Sequence, residues 1–148
     1  MGANGKPKAY INENGDLVPP NLEGTGSVQT HVRGSNPENS PYISATDPQA
    51  ALNPKDYGGN QIEIDVKQLQ KDIDAGELPN TKFLTSQEVA AELQSKIDAA
   101  RVRYSTNPSR KNAESLDNAV RDLGSAVRDG ECLIKGCVPA KYINSNGG

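Results

Sequence analysis

Two stripes of apolar residues at helical spacing, between residues 85 and 128, are the clearest pattern in this chain. The first follows Thr85-Ser86-Gln87-Glu88, a capping box in which Thr85 and Glu88 each accept the other's backbone N–H. The spacing predicts that Asn107 caps the second helix and that Pro108 is its first residue. We therefore expect a helical hairpin that covers the outside of a sheet with its apolar face: Val89, Leu93, Ile97, Leu116, Val120 and Leu123.

Shorter patterns predict further elements on the N-terminal side of the hairpin. Strict alternation over 61–66 predicts a half-buried strand. The stretch from Lys67 predicts a short helix that ends at Gly76, and Asp47-Pro48 predicts the start of another. A short strand is expected near residues 9–11, followed by a turn at Asn14-Gly15.

Three further segments are interpreted as strands that each present one polar residue. Residues 28–34 present Arg33, residues 40–46 present Ser44, and residues 131–139 present Glu131. Because alternate residues of a strand share a face, His31 is expected to lie on the same side as Arg33.

Composition limits the classes of protein that the chain represents. Its 148 residues fit one domain, and a net charge of −3 removes the simplest argument for non-specific nucleic-acid binding. No apolar run approaches the roughly 18 residues of a membrane span, and residues 1–23 lack the apolar core of a signal peptide. Two cysteines five residues apart and one histidine disfavour a zinc site, so free thiols and no metal are expected.

The same patterns suggest a domain organisation. Residues 1–23, which include Pro19-Pro20, are interpreted as a linker to an upstream carrier protein. Residues 24–143 form the predicted domain, and residues 144–148 are expected to be a disordered tail.

The ordered set of Arg33, Ser44 and Glu131 resembles the Arg–Ser–Glu signature of bacterial mono-ADP-ribosyltransferase toxins. The segment from Glu131 to Ile143 looks like the last-strand region of those toxins, in which the catalytic glutamate opens a strand. Residues 40–46 look like their aromatic-plus-Ser-Thr-Ser element, although Ala45 replaces the middle hydroxyl. The usual Glu-x-Glu is here Asp129-Gly130-Glu131.

The resemblance implies an α+β fold in which two packed, mostly antiparallel sheets enclose an NAD⁺ site and the helical hairpin is an insertion. It implies that the carboxylate stabilises an oxocarbenium-like ribose, that a hydroxyl orients the carboxylate or the ribose, and that a cation holds the diphosphate. The implied catalytic residues are Glu131, Ser44 and Asp129. The implied NAD⁺-binding residues are Arg33, Gly34, His31, Tyr42, Thr46 and Tyr57.

The resemblance also implies a biological setting. It is that of a toxin module of the Rhs or contact-dependent-inhibition kind, delivered by a bacterial secretion system into the cytoplasm of a competing cell. Such a module is expected to have a protein or RNA acceptor and a cognate immunity protein, and to act without a membrane partner.

Two alternative functions stay open at this point. A delivered ribonuclease would use His31 with Glu131 as its acid–base pair. A non-catalytic interaction domain would use the helical hairpin as its binding surface.

Overall fold

The computed structural model describes residues 8–47, 49 and 62–145, and these form an α+β fold, as expected. In chain order the elements are β1 Tyr10–Ile11, β2 Leu17–Val18, α1 Val28–Arg33, β3 Tyr42–Thr46, β4 Ile62–Ile64, α2 Val66–Asp74, β5 Lys82–Leu84, α3 Ser86–Thr106, α4 Arg110–Asp129, β6 Glu131–Lys135 and β7 Ile143–Ser145. Single 3-10 turns occupy Pro37–Asn39 and Ala140–Tyr142.

A three-stranded antiparallel sheet, ordered β3-β6-β5, lies at the centre of the fold. Among the described residues, two smaller antiparallel sheets accompany it, one of β1 with β2 and one of β4 with β7. In the central sheet Ser44 pairs with Leu133 and Thr46 pairs with Glu131. This register fixes which side chains share a face.

Each face of the central sheet is covered by its own apolar cluster. Ile43 and Ile134 point to one face, where they pack with a cluster drawn from β2, α2 and the C-terminal segment: Leu17, Leu69, Val138 and Tyr142. Tyr42 and Leu133 point to the other face, where α1, α3 and α4 cover them with Val28, Val89, Leu93 and Ala126. The end of this second face around Ser44 and Glu131 lies beyond the apolar cluster and is polar.

The predicted helical hairpin is confirmed as α3 and α4, including the Thr85–Glu88 capping box. The predicted cap of α4 is wrong: Asn107 ends α3, whereas the Ser109 hydroxyl accepts the Asn112 N–H and caps α4. The packing surface is also narrower than predicted, because Val120 is 49% exposed.

The largest correction concerns residues 28–34, which form helix α1 and not a strand. The Ser27 hydroxyl accepts the Thr30 N–H at the N-terminus, and Gly34 ends the helix with φ 81°. Val28 and Val32, four residues apart, bury the same helical face. Local capping and this apolar pair therefore select a helix.

The described residues near each end of the chain are also more ordered than predicted. Leu17, inside the expected linker, is buried and exchanges backbone hydrogen bonds with Val138, so a boundary at residue 23 would cut through the core. Asn144 and Ser145, expected in a disordered tail, belong to β7 and pair with β4.

Other predictions have mixed outcomes. The helix ended by Gly76 is confirmed as α2. The described part of the strand expected over 61–66 ends at Ile64, because Asp65 caps α2. Cys132 and Cys137 are free, as expected. The helix predicted from Asp47-Pro48 lies largely outside the described residues.

Candidate active site

A cavity of about 420 Å³ opens at the polar end of the helix-covered sheet face. Its walls come from α1, the turn that follows it, β3, and the junction between α4 and β6. Its volume lies within the range of small-molecule sites. Seven of the residues selected from the sequence line it: His31, Gly34, Tyr42, Ser44, Thr46, Asp129 and Glu131.

The register of the central sheet brings Ser44 and Glu131 together. Thr46 lies opposite Glu131 and Ser44 lies two residues before Thr46, so all three share a face. The Ser44 hydroxyl donates to Glu131 Oε2 at 2.8 Å. The structure therefore places a hydroxyl and a carboxylate in direct contact on the wall of the cavity.

Glu131 lies in an environment that disfavours its charge. Burial raises the pKa of Glu131, the Ser44 hydrogen bond lowers it in part, and the nearby Asp129 carboxylate raises it further. Within the part of the chain that the structure describes, no lysine or arginine forms an ion pair with Glu131. The carboxylate is thus held by a neutral donor and faces the cavity without an ion-pair partner among the described residues.

His31 connects Ser44 to a second serine. Its Nε2 lies 2.7 Å from Ser44 Oγ, and its Nδ1 lies 2.6 Å from Ser40 Oγ. The Tyr42 ring packs against the imidazole at a centroid distance of 5.7 Å. Burial lowers the pKa of His31 to about 4, so the ring is neutral near neutral pH.

Arg33 is placed away from this cluster. Its guanidinium bonds the nearly buried Asp122 of α4, with Nη2 2.8 Å and Nε 3.2 Å from Asp122 Oδ2. It does not line the cavity. Because residues two apart on a helix point about 200° from each other, His31 and Arg33 diverge where a strand would have aligned them.

The remaining predicted residues have distinct positions. Asp129 lines the cavity and bonds the guanidinium of its neighbour Arg128. Gly34 has φ 81° as the cap of α1, a conformation that glycine adopts without strain. Tyr42 contributes a buried ring, Thr46 lies on the rim opposite Glu131, and Tyr57 falls outside the described residues.

Sequence reasoning missed three residues that shape the site. Ser40 bonds His31 and accepts the Tyr42 N–H, Lys8 lines the cavity, and Asp122 holds Arg33. A helical interpretation of Ser27 through Gly34 would have separated His31 from Arg33, but no local pattern indicates the partner on α4. Lys8 lies in a segment with too little pattern to assign.

No family model, curated protein or solved structure matches this chain. Function therefore has to be inferred from the site. Among the described helices, none is both long and apolar enough to cross a membrane. The described residues also contain no cluster of three or more His, Cys, Asp or Glu side chains that would hold a metal ion.

Proposed function

We propose that this domain binds NAD⁺ in the cavity, cleaves the nicotinamide–ribose bond and transfers ADP-ribose to a macromolecular acceptor. The observation that carries the proposal is the hydrogen bond from Ser44 to Glu131 on the cavity wall. A carboxylate oriented by a hydroxyl, with no cation to neutralise it among the described residues, suits a site where positive charge develops during reaction.

The proposed reaction is a substitution at C1′ of the ribose. The C1′–N bond breaks, and nicotinamide leaves with the electron pair and becomes neutral. Glu131 stabilises the positive charge that develops on the ribose. An acceptor oxygen or nitrogen then forms the new bond to C1′ and releases its proton to solvent. Asp129, which lines the cavity with Glu131, is proposed to position that acceptor.

The cation for the diphosphate requires a new assignment. Arg33 is engaged with Asp122, whereas Lys8 is the one lysine or arginine among the described residues that line the cavity. We assign the diphosphate contact to Lys8. Tyr42 and Thr46, which line the same cavity, are then assigned to the ribose and nicotinamide side of the ligand.

The ribonuclease alternative is less well supported by the geometry. Both ring nitrogens of His31 are within hydrogen-bond distance of serine hydroxyls, and its low pKa leaves little imidazolium to act as a general acid near neutral pH. The cavity also has two carboxylates and one lysine among its described lining residues, a poor match for a polyanion.

The toxin setting forms part of the same proposal. A domain that transfers ADP-ribose inside a competing cell would require a protein or RNA acceptor, an upstream carrier for delivery and an immunity protein in the producing cell. These partners are implied by the resemblance to toxin domains and not by the site.

The test is consumption of NAD⁺ by Glu131→Gln beside the wild-type domain. We expect wild-type release of nicotinamide with label from NAD⁺ retained on lysate protein or RNA. The variant keeps the shape and loses the charge, so turnover should fall roughly a hundredfold or more. Glu114→Gln is the matched control, since Glu114 lies on α4 and pairs with exposed Arg110. Absence of NAD⁺ turnover in the wild type with any lysate would exclude the proposal and favour an interaction domain.

A further inference from the structure

The Glu131–Ser44 contact belongs to a longer series of hydrogen bonds. From the protein interior outward, the series is Tyr42 N–H to Ser40 Oγ at 3.2 Å, Ser40 Oγ to His31 Nδ1 at 2.6 Å, His31 Nε2 to Ser44 Oγ at 2.7 Å, and Ser44 Oγ to Glu131 Oε2 at 2.8 Å. It starts at a backbone amide in the core and ends at the proposed catalytic carboxylate.

The direction of each bond is set by the protons available. Ser44 has one hydroxyl proton and donates it to Glu131, so its oxygen must accept from His31. Nε2 therefore carries the imidazole proton, and Nδ1 is the acceptor of a neutral ring. Ser40 then donates its own proton to Nδ1, while its oxygen accepts the Tyr42 N–H.

We propose that Ser40 and His31 are positioning residues that fix the Ser44 hydroxyl proton on Glu131. In this relay, Ser40 selects the Nε2–H tautomer and His31 prevents Ser44 from rotating its proton away. The part of this inference that concerns turnover rests on the proposed function; the part that concerns the tautomer does not.

The surroundings of the relay favour this role. Ser40 is 3% exposed, so its hydroxyl has little water to exchange with, and Tyr42 packs against the imidazole ring. The charged or titratable groups that share the cavity wall with His31 are Lys8, Tyr42, Asp129 and Glu131. On α1 itself, Arg33 is turned toward Asp122. Both ring nitrogens of His31 bond neutral serine hydroxyls, and burial favours the neutral imidazole.

The single histidine permits a direct test of the tautomer. The nitrogen NMR spectrum of the isotope-labelled domain contains one imidazole, and the shifts of its two nitrogens show which one carries the proton. We expect the proton on Nε2. We also expect the imidazole to stay neutral at pH values well below those at which a free histidine titrates. An Nδ1–H form, or titration at the ordinary pKa, would overturn the relay whether or not the protein consumes NAD⁺.

A pair of substitutions separates the two halves of the relay. In His31→Gln the side-chain amide reaches the position of Nε2 and still donates to Ser44. In His31→Asn the amide reaches only the position of Nδ1. We expect Gln to retain most turnover and Asn to lose about tenfold, the scale of one hydrogen bond to a polar partner. Equal losses in both variants at equal unfolding midpoints would contradict a positioning role.

Ser40 is tested through its dependence on His31. Ser40→Ala should reduce turnover in the wild type and have little further effect in His31→Gln, which no longer has a tautomer to select. Ser40→Thr keeps the hydroxyl and should restore turnover if the buried site accepts the added methyl group. Additive losses from Ser40→Ala and His31→Gln would show that Ser40 acts through packing alone and would refute its part in the relay. If the wild type consumes no NAD⁺, the proposed function fails, and the imidazole spectra of wild type and Ser40→Ala still decide the relay.

Discussion

Two carboxylates on opposite sides of the central sheet, Glu131 and Asp72, both accept a hydroxyl hydrogen bond, but their environments differ. Asp72 on α2 accepts from the Tyr142 hydroxyl and, at 2.9 Å, from Gln68 Nε2, and Lys141 lies 3.9 Å away. These contacts, led by the Tyr142 hydrogen bond, lower the pKa of Asp72. Glu131 accepts one hydrogen bond from the Ser44 hydroxyl, lies near the Asp129 carboxylate and lines the cavity. Burial, aided by Asp129, raises the pKa of Glu131.

The difference separates a structural carboxylate from one that is available for chemistry. Asp72 bonds through both oxygens and has a lysine nearby, so its anion is already satisfied by the protein. Glu131 is oriented by Ser44, and its charge is left for a ligand to compensate. A developing positive charge on a bound ribose would supply that compensation only during reaction, which is the condition for lowering a barrier.

Neutralising each carboxylate in turn tests this difference most directly. We expect Glu131→Gln to lose roughly a hundredfold in NAD⁺ turnover and to unfold at a similar or higher urea concentration, because it removes a disfavoured charge. Asp72→Asn should do the reverse, with a lower unfolding midpoint and unchanged turnover of the folded fraction. Turnover lost in Asp72→Asn while Glu131→Gln stays active would reverse the assignment.

The pH dependence of folding stability provides a second test, beginning with His31. Because the pKa of His31 falls to about 4 in the folded protein, the unfolded chain binds a proton first as pH decreases, and stability is lost from the ordinary histidine pKa downward. The pKa shift corresponds to a loss on the order of 3 kcal/mol between pH 7 and pH 4. Urea unfolding at a series of pH values, compared with His31→Gln, isolates this contribution.

The two carboxylates change the free energy of unfolding with pH in opposite directions. Asp72 stabilises the fold above its unfolded pKa, and this contribution is lost as pH falls through its lowered folded pKa. Glu131, with a raised pKa, makes stability fall as pH rises from the ordinary carboxylate pKa to the raised one. Glu131→Gln should therefore remove a falling segment of the profile and Asp72→Asn a rising one. Profiles that change in the same direction would contradict the contrast.

The long helices could be predicted because their signals are local and repeated. Thr85 and Glu88 stand at fixed spacing, and the apolar stripe after them has the helical period over several turns. The pairing of β3 with β6 depends on contacts some 87 residues apart, as in the bond between Ser44 and Glu131. The sequence suggested that contact only because the order of residues resembled a known toxin signature.

The error at residues 28–34 shows how one wrong period changes a site. Interpreted as a strand, the segment puts His31 and Arg33 on one face, and it makes Arg33 the cation for a diphosphate. Helix α1 instead turns His31 to the cavity and Arg33 to Asp122. Six residues hold too few turns for the helical period to be evident, and the cap at Ser27 is a weak signal without the partner α4.

Because helix α1 turns Arg33 away from the cavity, we proposed Lys8 in its place as the diphosphate contact, and a pair of alanine substitutions tests that assignment. Removing Arg33 leaves the nearly buried Asp122 carboxylate without its ion-pair partner. Because the Arg33 side chain is 41% exposed, solvent screens the pair in part, which reduces the loss of folding stability. We expect Arg33→Ala to lose about 1–3 kcal/mol of unfolding free energy and to bind NAD⁺ as the wild type does. Lys8→Ala should keep the stability and weaken binding, with Lys8→Arg as the conservative control. Calorimetry at a temperature where all three variants are folded measures their affinities for NAD⁺. If Arg33→Ala weakens NAD⁺ binding and Lys8→Ala does not, the ion pair with Asp122 opens for the ligand, and Arg33 is the diphosphate contact.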